Sequence, residues 1–233
     1  IQSGKCGDNV TYKLFSDGTL VISGTGKMRP NNISTENPWR NVLDFIKKVV
    51  IEDGVETIGS NSFSGFKNME SVEIPDSITA IPYAAFSGCT SLKAIDIHDG
   101  IKSIDQNAFA GCESLTSVSI PDGVTELPFM VFARCKNLAT VEIPESVTTI
   151  GREAFYNCQK LTTIKLPSGL TTIGMKAFLG SGLTEIEIPA GVTLINEGVF
   201  KSCKALKSIR IPDGVTCIDT EAFSNCSALE TVV

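Results

Sequence analysis

The sequence predicts a β-rich solenoid of about eight stacked 23-residue coils, with short helical or 3-10 turns and an N-terminal β-hairpin cap. Three observations carry that prediction. A phenylalanine recurs at Phe63, Phe86, Phe109, Phe132, Phe155, Phe178, Phe200 and Phe223, in steps of 23 residues with a single 22. Six residues after most of them an apolar residue opens a short alternating run that ends in proline, as in Leu115, Val118, Ile120 and Pro121. In six of the eight copies a cysteine stands three residues after the phenylalanine.

The elements follow in chain order. Val10, Tyr12 and Leu14, then Leu20 and Ile22, alternate around Ser16, Asp17 and Gly18, which is the pattern of a β-hairpin. Asn37 before Pro38 reads as a helix N-cap and first position, with Trp39, Val42, Leu43 and Ile46 following at helical spacing. A short helix is expected up to about residue 46, with Trp39 anchoring the cap. Residues 1–45 are thus assigned to an N-terminal cap and residues 46–233 to the repeats. Within a coil, period-two alternation gives a strand. Proline stops it because it cannot donate to a ladder. A turn such as Asp122-Gly123 or Asp213-Gly214 leads to a second short apolar alternation, Val124 and Leu127 or Val147 and Ile150. The segment around each Phe and Cys then closes the coil with one helical or 3-10 turn.

A single coil has too few apolar side chains to offset the entropy of ordering its backbone, so the copies must stack into one continuous core. The final run, Leu229 to Val233, stops inside a strand with no polar capping unit. The natural chain is expected to continue beyond it, the alternative being edge pairing at this open end.

The cysteine column comprises Cys89, Cys112, Cys135, Cys158, Cys203 and Cys226, with Phe66 in the slot of the first copy and Ser181 or Gly182 in that of the sixth. A metal ligand or disulfide half would not be exchanged for a phenyl ring, whereas a core residue could be. Reduced cysteine behaves as a small buried hydrophobe. Metal sites need clustered ligands, and here the spacing is 23 with one histidine in the chain. The column is therefore read as a wall of inert thiols. Cys6 and Cys217 lie outside it, toward opposite ends, and are expected to be free.

The recurring pattern, Leu115, Val118, Ile120, Pro121, Val124, Leu127, Val131, Phe132 and Cys135 in one copy, resembles the BspA-like leucine-rich repeats across residues 46 to 233. The segment from Cys6 through Asp17-Gly18 and Met28 to Trp39 is similar to the region that often precedes those repeats. The resemblance implies a leucine-rich-repeat solenoid from a bacterial, sometimes protozoan, protein that is exported and displayed on or shed from the cell surface. Adhesion to host proteins or to other cells is the function it implies.

Composition narrows the rest. A net charge of −6 argues against nucleic acid, whose affinity comes from clustered Lys and Arg. No apolar stretch is long enough for a transmembrane segment. His98 replaces the strand-ending proline and reads as a variant without a nearby acid. Gly24 and Gly26 are followed by Arg29, so no dinucleotide loop is encoded. Asn9, Asn32 and Asn225 match a glycosylation pattern that is read as accidental. Phe129, Met130 and Tyr83 exceed their counterparts in size; they either make a small exposed apolar patch on the convex side or fill a local gap, and the second reading is favoured. No cofactor, metal or catalytic residue is implied.

The outward strand positions supply the candidate site. Along the presumed concave face one column reads Glu73, Asp96, Ser119, Glu142, Lys165, Glu187 and Arg210, beside Ser71, Ala94, Ser117, Thr140, Thr163, Glu185 and Ser208. Glu73 and Asp96 are the nearest acidic pair in register. Such a face suits a protein partner, with a host extracellular or cell-surface protein as the candidate. The expected role is a non-enzymatic binding or adhesion module of an exported protein. A structural spacer in a larger surface protein is the alternative, and carbohydrate binding is disfavoured by the lack of an aromatic ladder.

Overall fold

The computed structural model describes residues 2–30, 38–39 and 41–233. The chain winds as a β-solenoid of about eight coils, numbered here 1 to 8 from Phe63 to Phe223, with one three-residue 3-10 helix among the described residues.

The cap is antiparallel. Strands β1 (Gln2–Lys5), β2 (Val10–Leu14) and β3 (Thr19–Gly24) pair in sequence order. β2 and β3 form the expected hairpin; β1, polar and short, carried no alternation signal. In the hairpin turn the Thr19 N–H donates to Asp17 Oδ1 at 2.9 Å. Gly18 holds φ of 88°, and a Cβ there would lie 2.7 Å from the Phe45 carbonyl oxygen. β3 then pairs in parallel with Lys48–Ile51, matching Leu20 with Val49 and Ile22 with Ile51. The hairpin's second strand thus serves as the strand of a coil preceding the first repeat.

Among the described residues the expected helix before residue 46 does not form. Only Leu43–Phe45 is a 3-10 turn, and Asn37 lies outside the described residues. Val42 adopts φ of −132°, and hydrogen bonds run from Val42 to Trp39 and from Phe45 to Val42, three residues back. Tertiary packing overrides helical spacing here. Trp39 is 1% exposed, stacks on Phe63 at 5.9 Å and meets the Tyr12 ring edge-on at 5.4 Å. Its indole N–H donates to the Ser62 carbonyl at 2.8 Å. The tryptophan is the cap anchor, and holding it inward sets the path of the chain.

Each coil contributes up to two short parallel strands. The first set includes Ser71–Glu73, Ser117–Ser119, Thr140–Glu142, Glu185–Glu187 and Ser208–Arg210, paired in register wherever successive coils both form the strand. The second includes Ala80–Ile81, Ser103–Ile104, Glu126–Leu127, Thr149–Ile150 and Thr172–Ile173.

The third side is a stack of turns rather than a helical or 3-10 turn. In coil 2 the N–H groups of Ala84, Phe86 and Gly88 donate to the carbonyls of Gln106, Ala108 and Ala110 in coil 3. The N–H groups between them close tight turns, as Ser87 to Ala84 does. Residues two before and two after the phenylalanine hold positive φ, for example Asn107 (58°) and Gly111 (75°). That left-handed backbone aims alternate N–H groups along the stack and excludes a helix.

The core repeats with the sequence. The eight phenylalanine rings stack in one column, with centroids 5.4–5.8 Å apart and interplanar angles of 3–21°. Beside them runs the cysteine wall. Cys89, Cys112, Cys135, Cys158 and Cys203 are fully buried, while Cys226 in the last coil is half-buried. In every one the thiol donates to the carbonyl oxygen of the phenylalanine one coil back, at 3.0–3.2 Å. Ser181 takes the slot in the shortened coil 6, with Oγ 3.3 Å from Cys203 Sγ. All eight cysteines, each among the described residues, are free thiols, Cys6 buried and Cys217 exposed. Burial pushes the Cys89 and Cys135 thiols up to about 12 and those of Cys112 and Cys158 well above the usual thiol range.

Candidate functional site

The seven column residues all lie exposed on the side of the first strand set. Strand alternation puts them there: in Ser71–Glu73, Ser117–Ser119 and Thr140–Glu142 the central valine is buried and its neighbours face out. Ser119 sits in register with Glu142, and Glu187 with Arg210.

The column is not one continuous sheet. Asp96 and Lys165 lie in segments 94–97 and 163–166, which form no strand, so the first set divides into three sheets. In those two coils the central residues, Ile95 and Ile164, are half-exposed, whereas Val72, Val118, Val141, Ile186 and Ile209 are buried. One break adjoins His98, the other the coil that is one residue short. Glu73 and Asp96 are therefore not joined by a ladder, and the expected acidic pair gives way to an ion pair. Lys48 Nζ lies 2.5 Å from Glu73 Oε1. Arg210 Nε lies 3.6 Å from Glu187 Oε1. Such exposed pairs contribute little stability, but they lower the charge that the face presents at those positions.

Sequence columns missed four contributors. Lys48 belongs to the strand next to β3, where the repeat phrase is incomplete. Glu52, Asp53 and Asp76 stand in turns, off the strand columns, yet line an open groove of about 660 Å³ with Glu73, Ile74 and Pro75. This end of the face is thus more acidic than the column alone indicated. Runs of turn carboxylates one coil apart were the available signal.

His98 also differs from expectation, because an acid is near it. Its Nδ1 accepts from the Gly100 N–H at 3.1 Å and lies 3.7 Å from Asp76 Oδ1. The side chain still occupies the strand-end position and is only 14% exposed.

Tyr83, Phe129 and Met130 do not fill gaps. Tyr83 is 43% exposed and the other two are half-buried on the turn side. The stacked phenylalanines already fill the interior, so larger residues outside them must spread over the surface.

Comparison with known proteins agrees with the geometry. No curated protein matches the chain. A leucine-rich repeat protein from Bacteroides ovatus superposes with a TM-score of 0.70 at 26% identity, covering 97% of this chain and 69% of that one. A leucine rich cell surface protein from Faecalibacterium prausnitzii gives 0.59 at 24% identity, covering 100% and 94%. The T. pallidum leucine rich repeat protein gives 0.57 at 25%, covering 95% and 88%. The family described as BspA type leucine rich repeat region matches residues 41–149 and 125–233. With the stacked phenylalanines, the thiol wall and the 23-residue coil in one molecule, the chain belongs to the BspA-type leucine-rich repeat family.

Proposed function

We propose that the chain is a non-enzymatic binding module of the adhesion type, displayed by a bacterial cell and recognising a protein partner through the side of the first strand set. One observation supports this most. Interior positions are nearly constant from coil to coil, while the exposed column changes through Glu73, Asp96, Ser119, Glu142, Lys165, Glu187 and Arg210. Packing accounts for the constancy and leaves the variation free for recognition. Glu73, Asp96 and Glu142 favour a partner with a basic patch over the first half. The Faecalibacterium relative is described as a cell surface protein, and that location is carried over as part of the proposal.

Recognition is favoured over catalysis because the acidic groove is open, and glycosidase-type chemistry needs two acids in distinct environments within a cleft. The test is a pull-down with purified host extracellular proteins, comparing the natural chain with E73K/D96K/E142K. Binding lost at least about tenfold on charge reversal supports the reading; unchanged capture removes this face from consideration.

A spacer role is the second reading. The Lys48–Glu73 and Arg210–Glu187 pairs favour it, since they satisfy charges within the face itself.

A further inference from the structure

The turn side carries a second surface that the strand columns do not reach. Two residues after each phenylalanine the backbone is left-handed in every coil: Gly65, Gly88, Gly111, Arg134, Asn157, Gly180, Ser202 and Asn225 all hold φ between 56° and 78°. Glycine and asparagine suit that conformation; a long side chain is disfavoured there. Arg134, at φ of 63°, is the one long side chain in the column. Its backbone role needs no arginine. The Arg134 N–H donates to the Tyr156 carbonyl as the Gly111 N–H donates to that of Ala133. Two residues before Phe132, Met130 is also left-handed, at 54°, but that slot takes Asn61, Ala84, Asn107, Glu153, Lys176, Gly198 and Glu221 in the other coils, so only Arg134 departs from its column. Unfavourable backbone at a surface points to a use for the Arg134 side chain, which stands beside the large side chains of Phe129 and Met130.

Those side chains meet across coils. The Arg134 guanidinium lies over the Tyr156 ring, 5.8 Å from its centroid, and the Arg152 guanidinium over the Phe129 ring at the same distance. Coil 4 supplies an aromatic and then a cation, and coil 5 supplies a cation and then an aromatic. Half-buried Met130 and Leu179 extend the apolar part on the same turn side. A guanidinium held over an aromatic ring still has N–H groups to offer a carboxylate. Nearby cations are engaged otherwise: Arg152 Nε donates to Glu153 Oε1 at 2.9 Å, and Lys176 and Lys201 pair with Glu197 and Glu221. Arg134 has an aromatic ring in place of a carboxylate.

We propose that Phe129, Met130, Arg134, Arg152 and Tyr156 form a second docking surface, for an acidic polypeptide segment that also carries aromatic side chains. Charge complementarity selects the acid: a carboxylate fits the Arg134 fork. The apolar area beside it requires more than a small anion, and arginine over aromatic rings is a frequent composition of interface centres. A nucleic acid is disfavoured because its affinity comes from many clustered Lys and Arg, whereas this surface offers two arginines and leaves one of them, Arg152, on Glu153. This surface is separate from the strand face, so the two proposals stand or fall independently.

The probe is a random glutamate–tyrosine copolymer, with polyglutamate, polylysine and heparin fragments alongside, measured by biolayer interferometry on the whole chain. The copolymer is expected to bind, polyglutamate more weakly and polylysine not at all. Arg134→Gly should weaken copolymer binding at least about tenfold, as loss of an interface anchor does. The same change should hold or raise the thermal midpoint, by about 2–4 °C, because glycine relieves the left-handed backbone. E73K/D96K/E142K should leave copolymer binding unchanged. Equal binding by Arg134→Gly overturns the proposal. So does a midpoint lowered by that substitution, which would make the Arg134–Tyr156 stack structural. Tighter binding of heparin than of the copolymer would overturn it in favour of a glycan. Concentration-dependent self-association abolished by Arg134→Gly would overturn it in favour of a second copy.

Discussion

The Sγ of Cys112 donates a hydrogen bond to the carbonyl oxygen of Phe86, 3.2 Å away in the preceding coil. The same bond recurs at Cys89, Cys135, Cys158, Cys203 and Cys226, each reaching back to the phenylalanine of the coil before. A thiol is a weak donor. It is nonetheless small enough to sit against the phenylalanine column while using the second lone pair of a carbonyl that already closes its own turn, as Phe86 does by accepting from the Cys89 N–H. The column therefore ties each coil to its neighbour.

Replacing Cys112 by alanine removes a fully buried sulfur and that donor. The expected cost is about 1–3 kcal/mol in chemical denaturation. Cys112→Phe should cost more, although Phe66 occupies the same slot in coil 1. Phe66 packs edge-on to Trp39 at 6.3 Å, in space that the cap provides, whereas Cys112 lies between Cys89 and Cys135 in a closed wall. A Cys112→Phe chain as stable as the natural one would refute this account of the column.

The thiols also predict alkaline sensitivity. Burial raises the folded pKa of Cys89 and Cys135 from 9.0 to about 12 and of Cys203 to about 11. Above pH 9 the unfolded chain therefore releases protons that the folded chain keeps, and stability falls as pH rises. It is fully present below pH 9 and is lost progressively toward pH 11–12, each such thiol removing about 1.4 kcal/mol per pH unit. Thermal midpoints at pH 8 and pH 10.5 should show the drop, and a Cys112→Ala, Cys158→Ala chain should show a smaller one.

Phe132 stacks between Phe109 at 5.5 Å and Phe155 at 5.8 Å. Phe132→Ala should cost about 3–5 kcal/mol. Coils contact only their neighbours, so the loss falls on one junction rather than on the whole body. Calorimetry should then resolve two transitions, one for each side of the break; a single cooperative transition would contradict this.

The repeat was legible because burial imposes identity. A position that faces the same column in every coil meets the same neighbours, so Phe63 to Phe223 and the cysteines recur at one spacing. The hairpin was legible for a related reason, since Val10, Tyr12 and Leu14 alternate into the core around the turn at Gly18. The exposed column from Glu73 to Arg210 could also be placed by counting, because strand alternation makes every second residue face out.

Relations between coils were not legible. The Lys48–Glu73 pair depends on the strand next to β3, outside the repeat phrase. The breaks at Asp96 and Lys165 depend on whether Ile95 and Ile164 seat fully, which periodicity does not report. The helix expected at Trp39 failed because the indole satisfies its N–H and its ring against Ser62 and Phe63, contacts distant in sequence that outweigh local spacing.

The amino-acid order alone determined the coil, its 23-residue period, the inward residues and the outward polar columns, because these follow from local alternation and from the need to bury apolar side chains. Only the tertiary structure decided which side chains from successive coils meet: thiol with carbonyl, Lys48 with Glu73, Arg134 with Tyr156. Those meetings depend on coil-to-coil register and left-handed turn geometry, and register exists only once one coil rests on the next.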